Sequence, residues 1–312
     1  MDEQAFIEYL RVKKAIDDRS LNRLVWETLV ASMPTASQEH PWRILEIGAG
    51  IGTMIQRLIE WNFLKYADYT ALDSSAVFLA EAFRYLSTWA DEQGFEVIQD
   101  EQTLRFRDGQ HDIRIDFVTQ ELERWMQTSR SNDYFDLLIA HAFLDLVNLE
   151  ETLPVILHCL KEGGIFYFTI NFDGMTVFEP PLEETLDEQI ISLYHRTMEE
   201  REAGEKPSAG AYSGRRLLRV LEQSGGQLLR AGASDWVVHP IEGRYPPGEG
   251  RFLRFLLQMI ASELTGREEI SASQLRAWLD QRIAQIEDHR LTLMVHQIDL
   301  VGRKGLTSAS AF

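Results

Sequence analysis

The stretch "RILEIGAGIG", residues 43–52, constrains the fold more than any other part of the chain. A short apolar run reads as a buried strand, and it carries an acid, Glu46, just before three alternating glycines, Gly48, Gly50 and Gly52. The residues that follow, "GTMIQRLIEWNFL", place apolar side chains at helical spacing. A strand that turns through glycines into a helix is the opening unit of an open α/β sheet. Glycine permits the sharp turn and lets a ligand lie close to the backbone.

The chain then repeats this rhythm. "DYTALDSS" is a second strand, and "AVFLAEAFRYLSTWADEQG" is a second helix that stops at Gly94. "TLRFR" and "DIRIDFV", with Asp-Gly between them, predict a hairpin placed before the third parallel strand. "LERWMQTS" is a short helix and "YFDLLIAHAFLD" opens with the fourth strand. "LEETLPVILHCLKEGG" is a helix with a double-glycine stop, and "IFYFTINFDG" is the fifth strand. Such alternation predicts a parallel sheet with helices on both faces. Ligands of such sheets bind beyond the carboxyl ends of the strands, near the point where strand order reverses.

Flanking segments depart from the rhythm. Residues 2–31 read as helix, with Phe6, Tyr9, Leu10, Lys13, Ile16, Leu21, Leu24, Val25 and Leu29 at helical spacing, and 32–41 form a polar, proline-bounded link. Past the fifth strand come the helix "EETLDEQIISLYHRTMEERE", the flexible "AGEKPSAGAYSG", the helix "RRLLRVLEQSGG" and the strand "QLLRAGASDWVVHP". Residues 251–264 and 272–288 are helical, and "RLTLMVHQIDLVGRK" alternates at period two as a final strand.

Composition narrows the function. A formal charge of −18 repels nucleic-acid phosphates and suits a cationic or zwitterionic small substrate. The single cysteine, Cys159, lies in the apolar run "PVILHCL" and reads as core. With no internal disulfide possible, a reducing cytoplasm is expected. No run of eighteen apolar residues predicts a membrane span, and the N-terminus lacks the pattern of a secretory signal.

Two cofactor chemistries use glycine-rich loops of this kind. The dinucleotide pattern G-x-G-x-x-G/A would place its third small residue at Thr53, whose branched side chain hinders close helix–strand packing. A nicotinamide-dependent dehydrogenase is therefore disfavoured. The spacing E-x-G-x-G-x-G, from Glu46 to Gly52, resembles the first motif of class I S-adenosylmethionine-dependent methyltransferases.

That resemblance implies a Rossmann-like seven-stranded mixed α/β sheet, parallel except for an antiparallel seventh strand between the fifth and sixth, with helices on both faces and helical lid insertions. It implies S-adenosyl-L-methionine as cofactor. Glu46, Gly48, Ala49, Gly50 and Gly52 would form the loop against its amino-acid end, and Asp73 and Ser74 would meet the ribose. Gln120, Glu121 and Leu122 would lie at the adenine, although aspartate is more usual where Glu121 stands; Ala140 and His141 would line the ligand from the fourth strand. "RRLLRVLEQSGGQLLRAGASDWVV" resembles the family's last crossover helix and sixth strand, and the final alternating stretch its seventh. The expected organisation is an N-terminal helical cap at 1–39, one domain at 40–304 with lid inserts at 173–212 and 239–289, and a loose tail at 305–312.

Methyl transfer needs an aligned nucleophile, excluded water and, for a hydroxyl acceptor, a base. His141 is the leading base candidate and Asp145, four residues on, its expected orienting partner. Phe143, Asn171, Asp173, Tyr194, His195, Tyr212, Trp236 and His239 are candidate acceptor-pocket residues, several of them aromatic and suited to an amine or a flat ring. No histidine or cysteine cluster predicts a metal, and no nucleic-acid or membrane partner is expected. The reading is a methyltransferase acting on a small molecule at O or N, its oligomeric state open and a homodimer one option. The competing readings are a catalytically silent cofactor- or partner-binding protein on the same fold, and an aminopropyl transferase.

Overall fold

The architecture was read from a computed structural model of the chain, which describes residues 2–128, 133–182 and 184–305. The predicted tail falls almost wholly outside the described residues.

Two helices open the chain, α1 (Glu3–Ser20) and α2 (Arg23–Ser32), where the sequence read as one continuous helical stretch. Asn22 separates them. Its side chain caps α2 by accepting from the amides of Leu24 and Val25, and its own amide donates to Asp299. Then come β1 (Trp42–Ile47), α3 (Thr53–Glu60), β2 (Tyr66–Asp73) and α4 (Ala76–Glu92). They are followed by β3 (Glu96–Asp100), β4 (Thr103–Arg107), β5 (Asp112–Thr119), α5 (Leu122–Thr128) and β6 (Phe135–His141). α6 (Leu149–His158) leads into the long β7 (Leu160–Glu179), then α7 (Glu184–Glu199) and a two-residue hairpin, β8 (Glu202–Ala203) and β9 (Lys206–Pro207). α8 (Ser213–Val220), β10 (Gly226–Ala233), β11 (Trp236–Val238), α9 (Glu249–Leu264), α10 (Ala272–Glu287) and β12 (Thr292–Lys304) complete the chain.

The main sheet runs β10-β12-β7-β6-β1-β2-β5-β4-β3. β7, β6, β1, β2 and β5 are parallel neighbours, and β12 lies antiparallel between β7 and β10. This is the expected Rossmann-like mixed sheet with its antiparallel last strand between the fifth and sixth. The sheet is larger than expected, ten strands in place of seven. β3 and β4 extend the β5 edge as an antiparallel meander, and β11 adds to β12. The predicted hairpin forms, but its second arm is itself the third parallel strand, paired to β2 from Tyr66↔Asp112 to Asp73↔Thr119. β7 also runs past the expected end at Gly174, because its extension to Glu179 keeps pairing with β12 through Thr292↔Glu179.

Three apolar clusters hold these layers. One lies between α2, α3, α4 and the sheet, and includes Val25, Leu29, Ile44, Leu58, Tyr69 and Leu86. A second packs the opposite face, with Cys159 buried in it as expected. The third joins α1, α7, α9 and α10 to the far ends of β7 and β12 around Trp278 and Phe252. α2 is therefore part of the core, whereas α1 packs on α9. No helix among the described residues is long and apolar enough to cross a membrane.

Candidate functional site

Strand order reverses at β1, whose neighbours are β2 and β6. The carboxyl ends of β1, β2, β5 and β6 share one rim there, as expected for a ligand site in such a sheet. A cavity of about 1400 Å³ opens from this rim. Its floor is the glycine loop and the ends of β2 and β5, while α1, α7, the β8–β9 hairpin and α9 contribute the opposite walls.

The glycine loop is fixed to β2 by backbone hydrogen bonds. Gly48 and Ala49 donate to the Leu72 carbonyl at 2.9 and 3.1 Å. The Gly50 amide donates to Asp73 Oδ2 at 2.8 Å, and Ser75 donates to Asp73 Oδ1 at 2.8 Å. Each carboxylate oxygen keeps a second lone pair, and Asp73 lines the cavity. Gly48 has φ +71°, and a Cβ there would lie 2.5 Å from the Phe143 ring. Gly52 has φ +79°, and a Cβ there would strike Leu86 of α4 at 2.7 Å. The two glycines thus serve packing against opposite neighbours, while a Cβ at Gly50 meets only Leu10 of α1 at 3.7 Å.

Glu46 is 2 % exposed and accepts from the Tyr69 hydroxyl at 2.7 Å. Burial pushes its carboxyl up to about 8, against the lowering effects of the Tyr69 hydrogen bond and of Arg57. It lines the cavity with Gly48, Ala49, Gly50, Asp73, Ser74, Gln120, Glu121, Leu122 and His141. Two expected cofactor residues do not. Gly52 turns toward α4, and Ala140 is fully buried in the sheet's core because side chains alternate along β6 and His141 takes the rim position.

His141 does not have the surroundings of a free base. Its Nε2 lies 3.0 Å from Asp17 Oδ2 and its Nδ1 lies 2.8 Å from the Thr169 hydroxyl. Asp17 also accepts from Lys13 Nζ at 2.5 Å and from the Trp236 indole at 3.0 Å. Burial pushes the imidazole down to about 4, against the Asp17 hydrogen bond, which raises it. Burial would push the Asp17 carboxyl up, but Lys13, His141 and Arg57 outweigh it and hold the group below the usual range. A neutral imidazole then donates from Nε2 and accepts the Thr169 hydroxyl at Nδ1, so neither nitrogen is left for a substrate proton.

The expected His141–Asp145 pairing does not form. β6 ends at His141, Ala142 takes φ +51°, and Leu144–Leu146 is one turn of 3₁₀-helix in place of an α-helix. The i, i+4 geometry that would stack the two side chains is absent. Asp17 of α1 takes the partner's role from a distant part of the chain. Asp145 instead lines the cavity, its carboxyl raised by burial.

Of the candidate acceptor residues, Phe143, Tyr194 and Trp236 line the cavity. Asn171 and Asp173 do not, because β7 continues past them and Ile170 and Phe172, of opposite parity, take the cavity side. Asn171 donates to the Ile298 carbonyl, and Asp173 holds Arg215 and the Arg215 amide at the start of α8. Tyr212 packs over Gly174 beneath the guanidinium of Arg215. His195 sits one layer back, against the Phe172 ring and hydrogen-bonded to Thr176, its imidazole pushed down to about 4 by burial. His239 is exposed and bonds the Pro240 carbonyl. The cavity adds Tyr9, Lys13, Asp17 and Arg201, none of which the sequence singled out for the site. No group of three metal-ligating side chains occurs among the described residues.

No protein-family model matches the chain, and no curated protein matches it. Similar solved structures include a phosphoethanolamine N-methyltransferase from Haemonchus contortus, in complex with phosphomonomethylethanolamine and S-adenosylhomocysteine. It is 13 % identical over 90 % of this chain, with a TM-score of 0.44, and this chain spans 52 % of it, about half its length. A candidate methyltransferase from Bacillus halodurans is 13 % identical, with 89 % of this chain and 98 % of that one covered and a TM-score of 0.49. The YcgJ protein of Bacillus subtilis is 13 % identical, with 91 % and 99 % covered and a TM-score of 0.46.

Proposed function

We propose that this chain is an S-adenosylmethionine-dependent methyltransferase that acts on a small-molecule acceptor. The observation that carries the reading is the Gly50–Asp73 junction. The loop whose spacing resembles the methyltransferase motif is hydrogen-bonded to Asp73, the carboxylate that the resemblance assigns to a ribose, and both open on one cavity. The residues fit the cofactor. Backbone at Gly50 lies open toward α1 with space that a side chain would fill. The first amides of α3 suit a carboxylate, and Glu46 suits an ammonium.

When bound, the cofactor supplies an electrophilic methyl group on its sulfonium. The chain's own residues orient and enclose. Asp73 would accept from the ribose hydroxyls, Gln120 and Glu121 would lie at the adenine, and Phe143 and Trp236, which line the same cavity, would exclude water from the region beyond His141. α1 and the inserts at 173–212 and 239–289 act as the lid, and the single buried cysteine suits a cytoplasmic enzyme. His141 ties α1 to the rim of the sheet and keeps the wall of the site in place.

Isothermal titration with S-adenosylhomocysteine tests the reading. Saturable binding to the wild type is expected, with loss in Gly50→Arg, whose side chain would occupy the space over the loop. Absence of binding to the wild type overturns the cofactor, and undiminished binding to Gly50→Arg overturns the loop's role.

A further inference from the structure

Most charged side chains that line the cavity are already committed. Lys13 is paired with Asp17, and Lys206 is paired with Glu151. Glu46 takes the Tyr69 hydroxyl, and Asp73 takes two backbone amides. Three charges remain on the side away from the glycine loop: Asp145, Arg201 and, at the turn of the β8–β9 hairpin, the exposed Glu205. Among the described residues the Arg201 guanidinium has no hydrogen bond or ion pair, and the Asp145 carboxylate takes its own backbone amide.

Arg201 is held in place without being used up. Its amide donates to the Met198 carbonyl, and its own carbonyl accepts from Ser208. Of its acidic neighbours, Glu199 pairs with Arg216 and Glu200 with Arg267 and Arg196, while Glu202 is exposed. Asp145 lies in the short Leu144–Leu146 turn, near enough to feel the guanidinium, which opposes the upward push of burial on its carboxyl. The two groups nevertheless make no ion pair. Tyr194 senses both charges, and its hydroxyl has no partner among the described residues. Tyr9 adds a second buried ring nearby, and Trp236 and Phe172 complete an aromatic wall.

A guanidinium and a carboxylate that face one chamber without touching are complementary to a ligand that spans them. The geometry points to an acceptor with a flat apolar frame that presents an anionic group to Arg201 and a hydroxyl or amine donor to Asp145. This rests on the cofactor reading above for the word acceptor, though not for the binding site itself. Arginine suits the anion because its planar fork holds a carboxylate at two points. Asp145 suits the donor end because it is acceptor-only when ionised.

Four probes of one shape separate the contributions: tyrosine, 4-hydroxyphenylacetate, 4-hydroxyphenylacetamide and tyramine. Their binding is measured by calorimetry and thermal shift on the full chain, alone and saturated with S-adenosylhomocysteine. The two acids are expected to bind about tenfold or more tightly than the amide and the amine, since one charge-assisted pair is worth about that factor. Arg201→Gln is expected to abolish the preference for acids, and Asp145→Asn to weaken all hydroxyl-bearing probes while leaving the preference intact. Equal or tighter binding of the amide or the amine overturns the proposal. So does an undiminished acid preference in Arg201→Gln, or failure of both acids to bind at millimolar concentration. Failure of S-adenosylhomocysteine to bind, with the acid preference intact on the chain alone, overturns the cofactor reading and leaves this site standing.

Discussion

At the scale of single residues, Glu46 has an environment unusual for an acid of a ligand loop. Buried beneath the loop, it has a carboxyl raised to about 8, so it holds its proton at neutral pH without a ligand. The folded form binds that proton more tightly than the unfolded chain, in which the group titrates at about 4.5. Its stabilising contribution is therefore complete below that lower value and is lost as pH rises through about 8. Glu46→Gln cannot ionise and should escape the loss, which is on the order of a few kcal/mol. Thermal denaturation from pH 6 to pH 9 should show the wild type losing stability relative to the variant; parallel profiles would refute the assignment. The same proton predicts that a cofactor ammonium meeting Glu46 displaces it. Calorimetry of S-adenosylhomocysteine in buffers of different ionisation enthalpy should then report proton release near neutral pH.

His141 carries a second prediction of this scale. With its imidazole pushed down to about 4, it stays neutral far below the usual histidine range. Its folded value lies under its unfolded one, so its contribution is present above about 6.5 and is lost as pH falls through about 4. Carbon and nitrogen shifts of the labelled ring should report the neutral form at pH 5.5, with the proton on Nε2. A midpoint above pH 6 would contradict the buried, doubly bonded ring.

At the scale of elements, α1 is the piece to test. It enters the site through Asp17, which is 2 % exposed and joins Lys13 of the same helix to His141 of β6 and Trp236 of β11. Removing one partner of a buried ion pair costs about 3–5 kcal/mol, because the other charge is left uncompensated. Asp17→Ala should lose stability of that size, measured by urea unfolding, with the earliest loss of amide-exchange protection in α1. Lys13→Met with Asp17→Leu, which removes both charges, should recover much of it. If the single and double variants are equally unstable, the cost lies in packing and the charge argument fails.

This element also marks the boundary of what sequence shows. The loop from Glu46 to Gly52, Asp73 at the end of β2 and the antiparallel last strand were legible, because each is a local pattern tied to one strand end. Asp17 was not, because its partner lies 124 residues away and nothing in its own helix sets it apart from other acids. Asp145 lines the cavity, but its expected pairing with His141 fails, since spacing alone does not distinguish an α-helical turn from the 3₁₀ turn at Leu144–Leu146. Asn171 and Asp173 were misplaced for a related reason. A strand's end cannot be read where pairing with a distant strand carries it on, as β12 carries β7 to Glu179.

For the whole molecule, the charge of −18 and Arg201, which has no ion pair among the described residues, pull in opposite directions. The overall charge favours cations and repels anions at long range, whereas a guanidinium inside the cavity favours an anion at contact. Distance decides which effect governs which step. The long-range field acts on approach and is screened over a Debye length of about 10 Å at 0.1 M salt and about 3 Å at 1 M. The contact inside a half-enclosed chamber is screened much less. Association of 4-hydroxyphenylacetate should therefore speed up as salt is raised from 0.02 to 0.5 M, in stopped-flow fluorescence, while its dissociation rate changes little. S-adenosylhomocysteine carries both signs of charge near one another and should show a flat association rate under the same conditions. An acid whose association slows with salt would mean that it is steered by a positive surface patch. The anionic end would then be read outside the cavity, and Arg201 would not be its anchor.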